Sequence, residues 1–327
     1  MHKIPTMART AVVLGASGYS GGELLRLLAR HPAIEVAAAA GDRAAGEPLG
    51  DVHPHLASIP GAVASAADAA SVSADVCFSC LPAGHLAKHL HELRAQVVVD
   101  LADDFRGDTE WTYGLTEFAR GELPGATRIA NPGCYPTATL LALVPFARAG
   151  LVEGPVVVDA ISGTSGAGRT SSDHLSFGSA GGSVGAYGTV NHRHVAEIER
   201  GLLTFAGLQT AVSFTPHLAP MSRGLLATVR ARSSSSLTDP EATGVLRDAY
   251  ADEPFVEVLE DWPSTKAMTG SNAAHVAARV DRRTGWLICS AAIDNLGKGA
   301  AGQALHNANL ALGLPENQGL EATGVWP

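Results

Sequence analysis

Cys134 stands in the segment Asn131-Pro132-Gly133-Cys134-Tyr135-Pro136-Thr137, between an apolar strand pattern and a long apolar helix pattern. Pro136 fits the first turn of that helix, which places Cys134 at the helix N-terminus. Unpaired amides and the positive end of the helix dipole favour a thiolate there. The same amides can stabilise the oxyanion of a tetrahedral intermediate. The segment therefore predicts a nucleophile that attacks an acyl carbon, with a buried structural cysteine as the alternative.

Histidines in the second half of the chain could carry the proton that such a thiolate requires. His194 ends the run His192-Arg193-His194 and precedes Glu197 by three residues. That spacing puts both side chains on one helical face, where the carboxylate can orient the imidazole. His217 lies between two prolines, Pro216 and Pro220, which predict a stiff loop, and it could equally be the base or a substrate contact. The residues alone leave both histidines as candidates.

A glycine turn follows the first apolar run and opens the first helix. Its sequence is Gly15-Ala16-Ser17-Gly18-Tyr19-Ser20-Gly21. Glycine lets the backbone approach a pyrophosphate, and the helix N-terminus supplies amide hydrogens and a positive dipole end. We therefore expect a dinucleotide to bind at Gly15, Ser17, Gly18, Tyr19, Ser20 and Gly21. Ser17 replaces the middle glycine of the commoner fingerprint, so a tight turn that binds nothing is the alternative.

The residues after the second strand pattern bear on which dinucleotide binds. Asp42 could accept a hydrogen bond from a ribose hydroxyl, whereas Arg43 could pair with a 2′-phosphate. Both residue types are present, so the local chemistry is ambiguous. We favour the phosphorylated cofactor, NADP(H), with Arg43 on its phosphate.

The pattern of apolar runs changes along the chain, and it predicts the elements that position these residues. The first half alternates short apolar runs with helical patterns, which is typical of a doubly wound, Rossmann-like parallel sheet. We assign residues 1–146 to this cofactor-binding domain. Residues 147–300 are richer in strand patterns and predict an α+β substrate and oligomerisation domain with a largely antiparallel sheet. A last helix, within about 301–327, is expected to pack back on the first domain.

Composition excludes several classes of protein. The 327 residues are 46% hydrophobic, enough for two domains with sizeable cores. Lysine and arginine number 23 against 32 acidic residues, and the net charge of −9 makes nucleic acid an unlikely partner. No apolar run approaches the roughly 18 residues of a membrane helix, so we expect a cytoplasmic protein. Four scattered cysteines predict reduced thiols, and we predict no metal site.

Over nearly its whole length the sequence resembles the N-acetyl-gamma-glutamyl-phosphate reductases, which catalyse the third step of arginine biosynthesis and are related to aspartate-semialdehyde dehydrogenase. The matching segments are residues 15–24, 104–106, 131–137, 162–169, 192–194, 216–224 and 294–304. The resemblance implies that Cys134 is the nucleophile, that His194 is the acid/base and that the cofactor is NADP(H). It also implies that Ser165, Gly166, Ala167 and Asn295 lie near the nicotinamide.

The implied substrates are a small acyl phosphate in one direction and an aldehyde with inorganic phosphate in the other. Both substrate anions need cations, for which Arg106, Arg193 and Arg223 are the candidates. The sequence does not assign an arginine to each anion. Asn131 and His192 complete the residues expected to bind the substrate, and the resemblance suggests a homodimer or homotetramer.

Two other functions remain open at this point. A related reductase of lysine biosynthesis handles an aminoadipyl phosphate on a carrier protein, and its substrate differs by one methylene and the carrier. That function would favour a broad basic patch, and the sequence has no concentrated run of lysine and arginine. A non-catalytic nucleotide-sensing module would use the glycine turn alone and would leave Cys134 unreactive toward alkylating reagents.

Overall fold

The computed structural model describes residues 8–169, 172–233 and 236–327. Its strands are β1 (Arg9–Leu14), β2 (Ile34–Ala40), β3 (Ser73–Ser79), β4 (Arg94–Asp100), β5 (Thr112–Tyr113), β6 (Arg128–Ala130), β7 (Val152–Gly163), β8 (Gly185–Ala186), β9 (Val212–Ala219), β10 (Leu225–Ser233), β11 (Val256–Val258), β12 (Ala274–Asp281) and β13 (Trp286–Ile293). Its α-helices are α1 (Tyr19–Leu28), α2 (Leu49–Val52), α3 (Ala66–Ala70), α4 (Leu86–His89), α5 (Thr116–Ala119), α6 (Cys134–Arg148), α7 (Phe177–Ala180), α8 (His194–Ala206), α9 (Asp239–Tyr250) and α10 (Gly302–Ala311).

The chain divides into two compact units. The first runs to Pro132 and includes Ala301–Leu320, and the second comprises Gly133–Ala300 and Glu321–Pro327. The sequence placed the boundary at residue 146, and residues 1–7 of that predicted domain lie outside the described part. The structure assigns α6 to the second unit because this helix packs on β10, β13 and α8.

The last residues of the chain also differ from the predicted assignment. The prediction grouped all of 301–327 with the first domain. In the structure, the Asn272 amide donates to the Glu321 carbonyl at 2.7 Å and the Val325 amide donates to the Thr269 carbonyl at 2.8 Å. These backbone hydrogen bonds attach the tail to the second unit.

The first unit is built on a six-stranded sheet in the order β2-β1-β3-β4-β6-β5, and every neighbouring pair is parallel. Both faces of the sheet are buried, as is usual for parallel sheets. Along β1, Val13 belongs to one core cluster and Val12 to the other. Cys77 and Cys80 likewise pack with different clusters. The predicted Rossmann-like parallel sheet is confirmed.

The second unit is built on a seven-stranded sheet in the order β11-β12-β13-β10-β7-β9-β8. Four neighbouring pairs are antiparallel, whereas β7–β9 and β11–β12 are parallel. Helices α6, α8 and α9 pack on the strands. The prediction of a largely antiparallel α+β unit is confirmed.

Helix α6 contains a proline whose cost is offset by a tyrosine from another helix. Pro145 has no N–H, so the Leu141 carbonyl lacks its usual partner four residues later. The Tyr250 hydroxyl donates to that buried carbonyl at 2.5 Å. The helix therefore remains continuous from Cys134 to Arg148 with its backbone acceptor satisfied.

Among the described residues, no helix has the length and apolar character needed to cross a membrane. Within the same ranges, no group of three or more His, Cys, Asp or Glu side chains is placed to hold a metal ion.

Candidate active site

The glycine turn of the first unit has a backbone that only glycine tolerates. Gly15 has φ +74°, and a Cβ atom there would lie 2.4 Å from the Cys80 carbonyl oxygen. A Cβ atom on Gly21 would lie 2.4 Å from the Gly15 carbonyl oxygen. Glycine at both positions therefore lets β1 turn closely into α1, as the turn of a dinucleotide-binding fold requires. The residues present fit a dinucleotide.

The start of α1 leaves its first amides to an external partner. Gly18 is the N-cap residue, with φ −79° and ψ 170°, and no side chain caps the helix. The first turn of the helix carries no acidic residue. Ser17 and Ser20 are half-buried and Tyr19 is exposed. A helix start of this kind has the chemistry to bind an anion.

Asp42 and Arg43 at the end of β2 are not equivalent in the structure. Both side chains are exposed, but Asp42 Oδ1 accepts a hydrogen bond of 2.8 Å from the Ala66 amide at the start of α3. Arg43 makes no hydrogen bond or ion pair with the described residues. Asp42 therefore stabilises the start of α3, whereas the Arg43 guanidinium is exposed to solvent.

Arg106 and Asn131, both expected to bind the substrate, form hydrogen bonds within the first unit. Arg106 donates through Nε to the Asn131 carbonyl and through a terminal nitrogen to the Leu101 carbonyl, both at 2.9 Å. Asn131 is fully buried, and its Oδ1 accepts from Asn307 Nδ2 at 3.0 Å. These contacts fix the segment that leads to Gly133.

Cys134 is the first residue of α6 and is partly exposed. The N-cap residue, Gly133, has φ −70° and ψ 155° and provides no side-chain cap. Its amide donates to Glu197 Oε1 at 2.8 Å. Pro136 has no N–H, so the candidate oxyanion donors at this helix end narrow to the Cys134 and Tyr135 amides.

The second unit brings His192 and His194 together beside the residue that follows Cys134. The two imidazole centroids are 4.7 Å apart, and each is 5.8 Å from the Tyr135 ring. His192 Nδ1 accepts from the His194 amide at 3.1 Å. Burial lowers the pKa of His192, and the neighbouring Arg193 cation lowers it further. His194 is buried, with 6% of its surface exposed.

His217 reaches the same region mainly through its backbone. Its carbonyl accepts from the Tyr135 hydroxyl at 3.4 Å, and its ring Nδ1 lies 3.3 Å from the Ala160 carbonyl oxygen on β7. The imidazole is therefore engaged with the neighbouring strand.

Tyr135 and Tyr187 were not singled out from the sequence. Their hydroxyls are 2.9 Å apart, and Tyr135 also packs edge-on against Phe214 at 5.1 Å between centroids. Burial raises the pKa of Tyr135, and the adjacent Tyr187 raises it further. Burial also raises the pKa of Tyr187. Both phenols therefore stay protonated near neutral pH. In the sequence, these tyrosines were marked only by their closeness to Cys134 and to the His192-Arg193-His194 run.

Asn295 ties two loops of the second unit together. Its Oδ1 accepts from the Gly224 amide at 2.7 Å, and its Nδ2 donates to Ser165 Oγ at 2.9 Å. Gly166 follows Ser165, and a Cβ atom there would lie 2.7 Å from Ser162 Oγ. Gly166 and Ala167 are exposed. The four residues expected near the nicotinamide thus lie in one assembly of loops.

Asp294 extends that assembly toward Cys134. Its buried carboxylate accepts from the Gly270 amide at 2.6 Å and the Leu296 amide at 2.8 Å, and it lies 3.2 Å from Arg223 Nε. Gly299 follows, and a Cβ atom on it would lie 2.8 Å from the Cys134 Cβ. Arg223 is therefore held at Asp294, five residues before the glycine that packs on Cys134, whereas Arg193, at the start of α8, is exposed.

Comparison with known proteins agrees with this two-unit architecture. A family model described as "Semialdehyde dehydrogenase, NAD binding domain" matches residues 10–126, and one described as "Semialdehyde dehydrogenase, dimerisation domain" matches residues 134–295. The cofactor is thus a nicotinamide dinucleotide. Aspartate semialdehyde dehydrogenase II from Vibrio cholerae, complexed with ASA, covers 93% of this chain and 98% of its own with a TM-score of 0.75 at 17% identity.

A second solved structure gives the same fold. The aspartate semialdehyde dehydrogenase with NADP from Candida albicans has a TM-score of 0.70 at 17% identity, covering 93% of this chain and 98% of its own. Among curated relatives, the N-acetyl-gamma-glutamyl-phosphate reductase of Frankia casuarinae is 49% identical over 98% of this chain and all of its own. The chain therefore belongs to the N-acetyl-gamma-glutamyl-phosphate reductase family within the semialdehyde dehydrogenases.

Proposed function

We propose that this chain catalyses the NADP-dependent reductive dephosphorylation of N-acetyl-gamma-glutamyl phosphate to N-acetylglutamate 5-semialdehyde in arginine biosynthesis. The observation that carries the proposal is Cys134 at the start of α6, with the imidazoles of His192 and His194 packed around the adjacent Tyr135. The name of the Frankia casuarinae relative supports the substrate. It does not favour the lysine-biosynthesis alternative.

The first half of the proposed reaction is acyl transfer to sulfur. The Cys134 thiolate attacks the acyl carbon, the bond from that carbon to the phosphate oxygen breaks, and phosphate leaves with its electron pair. The helix end stabilises the thiolate before attack, and the Cys134 and Tyr135 amides are the candidate donors to the tetrahedral oxyanion. A thioester on Cys134 results.

The second half releases the aldehyde. The turn formed by residues 15–21 would hold the nicotinamide cofactor, which when bound would supply the hydride that the acyl carbon requires. When the carbon–sulfur bond breaks, the electron pair returns to Cys134. Protonated His194 then restores the thiol, and in the opposite direction neutral His194 removes that proton. His217 is the second candidate for this role.

The preference for NADP(H) over NAD(H) rests on Asp42 and Arg43. An acid that discriminates for a ribose hydroxyl needs carboxylate oxygens turned to the ribose, and Asp42 Oδ1 is instead committed to the Ala66 amide. Arg43 is exposed and suits a 2′-phosphate. Both residues thus favour the phosphorylated cofactor.

The substrate anions are assigned among the three arginines by their environments. Arg193 and Arg223 belong to the same unit as Cys134, and we assign them to the substrate carboxylate and phosphate as a pair. Arg106 donates two of its N–H groups to backbone carbonyls. We therefore assign it chiefly to positioning the segment around Asn131. His192 and Asn131 complete the proposed substrate shell.

Self-association through the second unit is also proposed, as a homodimer or a pair of homodimers. One face of the second-unit sheet is covered by α6. Three half-buried apolar side chains lie on the opposite face: Ile161, Leu226 and Ile288. The family description of this region as a dimerisation domain supports self-association of the second unit.

An absorbance assay of NADPH formation tests the function. The substrates are N-acetylglutamate semialdehyde and NADP, with and without inorganic phosphate. NADPH formation that depends on phosphate is expected. Absence of turnover with this aldehyde, together with turnover of a carrier-linked aminoadipyl substrate, would contradict the proposal.

A further inference from the structure

His53 lies against the glycine turn, yet nothing in its sequence context marked it as functional. It is buried, with 5% of its surface exposed, and its Nε2 lies 2.7 Å from the Ala16 carbonyl oxygen. A carbonyl oxygen can only accept, so Nε2 carries the proton and donates. The ring also fills the space beside α1, because a Cβ atom on Gly22 would lie 2.5 Å from His53 Cε1.

The backbone of His53 is fixed on both sides. Its amide donates to the Leu49 carbonyl and its carbonyl accepts from the Leu56 amide, each at 2.8 Å. Pro54 disfavours helical geometry for the residue before it, and His53 is extended, with φ −132° and ψ 93°. Leu49 and Leu56 are buried in the core of the first unit. The imidazole therefore approaches the turn from a rigid support.

The hydrogen bond from His53 fixes one peptide plane of the turn. The Ala16 amide donates to the Ala40 carbonyl at 2.6 Å, so both backbone polar groups of Ala16 are engaged. In a planar trans peptide, the N–H points opposite to the C=O. Holding the Ala16 carbonyl toward His53 therefore holds the Ser17 N–H in the opposite direction, away from His53.

We propose that His53 is a positioning residue for the cofactor turn: it orients the Ala16–Ser17 peptide so that the turn is preformed for the dinucleotide. The inference rests on the proposed binding of NADP(H) at residues 15–21. Preorganisation lowers the cost of ordering a loop on binding. Loss of the hydrogen bond therefore weakens cofactor affinity and leaves the chemistry at Cys134 intact.

Three variants test the proposal. His53→Leu removes the donor and keeps an apolar side chain against Gly22. His53→Gln keeps an N–H donor at a similar reach. His91→Leu makes the same replacement at an exposed histidine of the first unit and serves as the matched control. NADPH affinity is measured by calorimetric titration of the whole chain, and steady-state kinetics and thermal unfolding accompany it.

The expected result is a dissociation constant for NADPH about tenfold higher in His53→Leu, as one lost hydrogen bond implies. The KM for NADP should rise in parallel. The kcat at saturating cofactor and the KM for the aldehyde should stay within about twofold. His53→Gln and His91→Leu should bind NADPH within about twofold of the unsubstituted chain.

Unchanged NADPH affinity in His53→Leu would overturn the inference. Equal losses in His53→Leu and His53→Gln would also overturn it, because ring packing rather than the donated hydrogen bond would then be responsible. If the unsubstituted chain bound NADPH but failed to oxidise the aldehyde with phosphate, the proposed function would fail while the role of His53 could still be measured by titration.

Discussion

The starts of α1 and α6 are built alike and are used differently. Each helix begins after a glycine N-cap with extended backbone, neither N-cap provides a side chain, and neither first turn contains an acidic residue. Both helix ends therefore keep the positive character that attracts an anion. At α1 the surrounding glycines allow the tight turn that we propose as the cofactor site. At α6 the first helical residue is Cys134, whose sulfur is the anion in the proposed mechanism.

A carboxylate marks the second difference. Glu197 Oε1 accepts the Gly133 amide next to Cys134, whereas the N-cap amide of α1, on Gly18, donates to the Gly15 carbonyl at 3.1 Å. The cofactor turn thus satisfies its own backbone without adding charge. The start of α6 places a negative group beside Cys134, the proposed thiolate nucleophile. A helix end is thus a general anion site whose use is set by the groups placed around it.

Removal of the sulfur gives the largest expected effect. Cys134→Ser should lower kcat/KM for phosphate-dependent aldehyde oxidation at least about a thousandfold, because a serine hydroxyl is not ionised near neutral pH. Calorimetric titration should give an unchanged affinity for NADPH. Cys289→Ala, at a buried thiol on β13, serves as the control with near-normal turnover. Near-normal turnover of Cys134→Ser would refute covalent catalysis and remove the contrast between the two helix ends.

A methyl group in the cofactor turn tests the other helix end. Gly15→Ala should lower the free energy of unfolding by about 2–4 kcal/mol, because φ is +74° and the new Cβ meets the Cys80 carbonyl. Affinity for NADPH should fall about a hundredfold. Alkylation of Cys134 by iodoacetamide should continue at an unchanged rate below the unfolding temperature.

Gly121→Ala is the matched control, because a Cβ atom there meets no atom within 4 Å. It should leave NADPH affinity unchanged and stability nearly so. If Gly15→Ala bound NADPH normally, the turn would not be the cofactor site.

Tyr250→Phe tests the hydrogen bond that compensates for Pro145 in α6. Helix α1 contains no proline and needs no such support. Removing the hydroxyl leaves the Leu141 carbonyl without its donor, and the free energy of unfolding should fall by about 1–2 kcal/mol. Denaturant titration measures the change. Pro145→Ala supplies an N–H four residues after Leu141, so the same change should cost less in that background. Equal costs in both backgrounds would contradict this account of the proline.

Glu197→Gln gives the smallest expected effect and isolates the charge beside Cys134. Glutamine can still accept the Gly133 amide, but the negative charge near the sulfur is gone. The thiolate fraction should increase, and iodoacetamide should alkylate Cys134 roughly threefold faster at neutral pH. Glu199→Gln is the matched control, because Glu199 accepts the Val212 amide elsewhere on α8. Unchanged alkylation in Glu197→Gln would show that its charge does not reach the sulfur.

The sequence carried the features that depend on local chemistry. The glycine turn and the Pro-Gly-Cys-Tyr-Pro segment were recognisable because backbone freedom and helix starts are encoded by adjacent residues. Contacts between distant segments were not recognisable. The hydrogen bond from Gly133 to Glu197 and the hydroxyl pair of Tyr135 and Tyr187 exist only because the fold of the second unit brings α6, α8 and the segment before α8 together.

The boundary between the compact units differs from the predicted boundary for a related reason. Almost every residue of α6 is buried, so the helix has no polar face to indicate which sheet it packs against. The sequence therefore located the helix but not its partner. His53 was overlooked because a histidine between short helical turns has no distinctive spacing, and its acceptor, Ala16, lies 37 residues earlier.

Asn295 has a mechanical consequence for the loops around it. Since one planar amide grips Ser165 at one end and Gly224 at the other, the two loops behave as a single piece. Displacement of the loop that contains Ser165 is therefore coupled to the loop that contains Arg223 and Gly224. A ligand that contacts the Ser165 loop can in this way change the position of the Arg223 cation without contacting it.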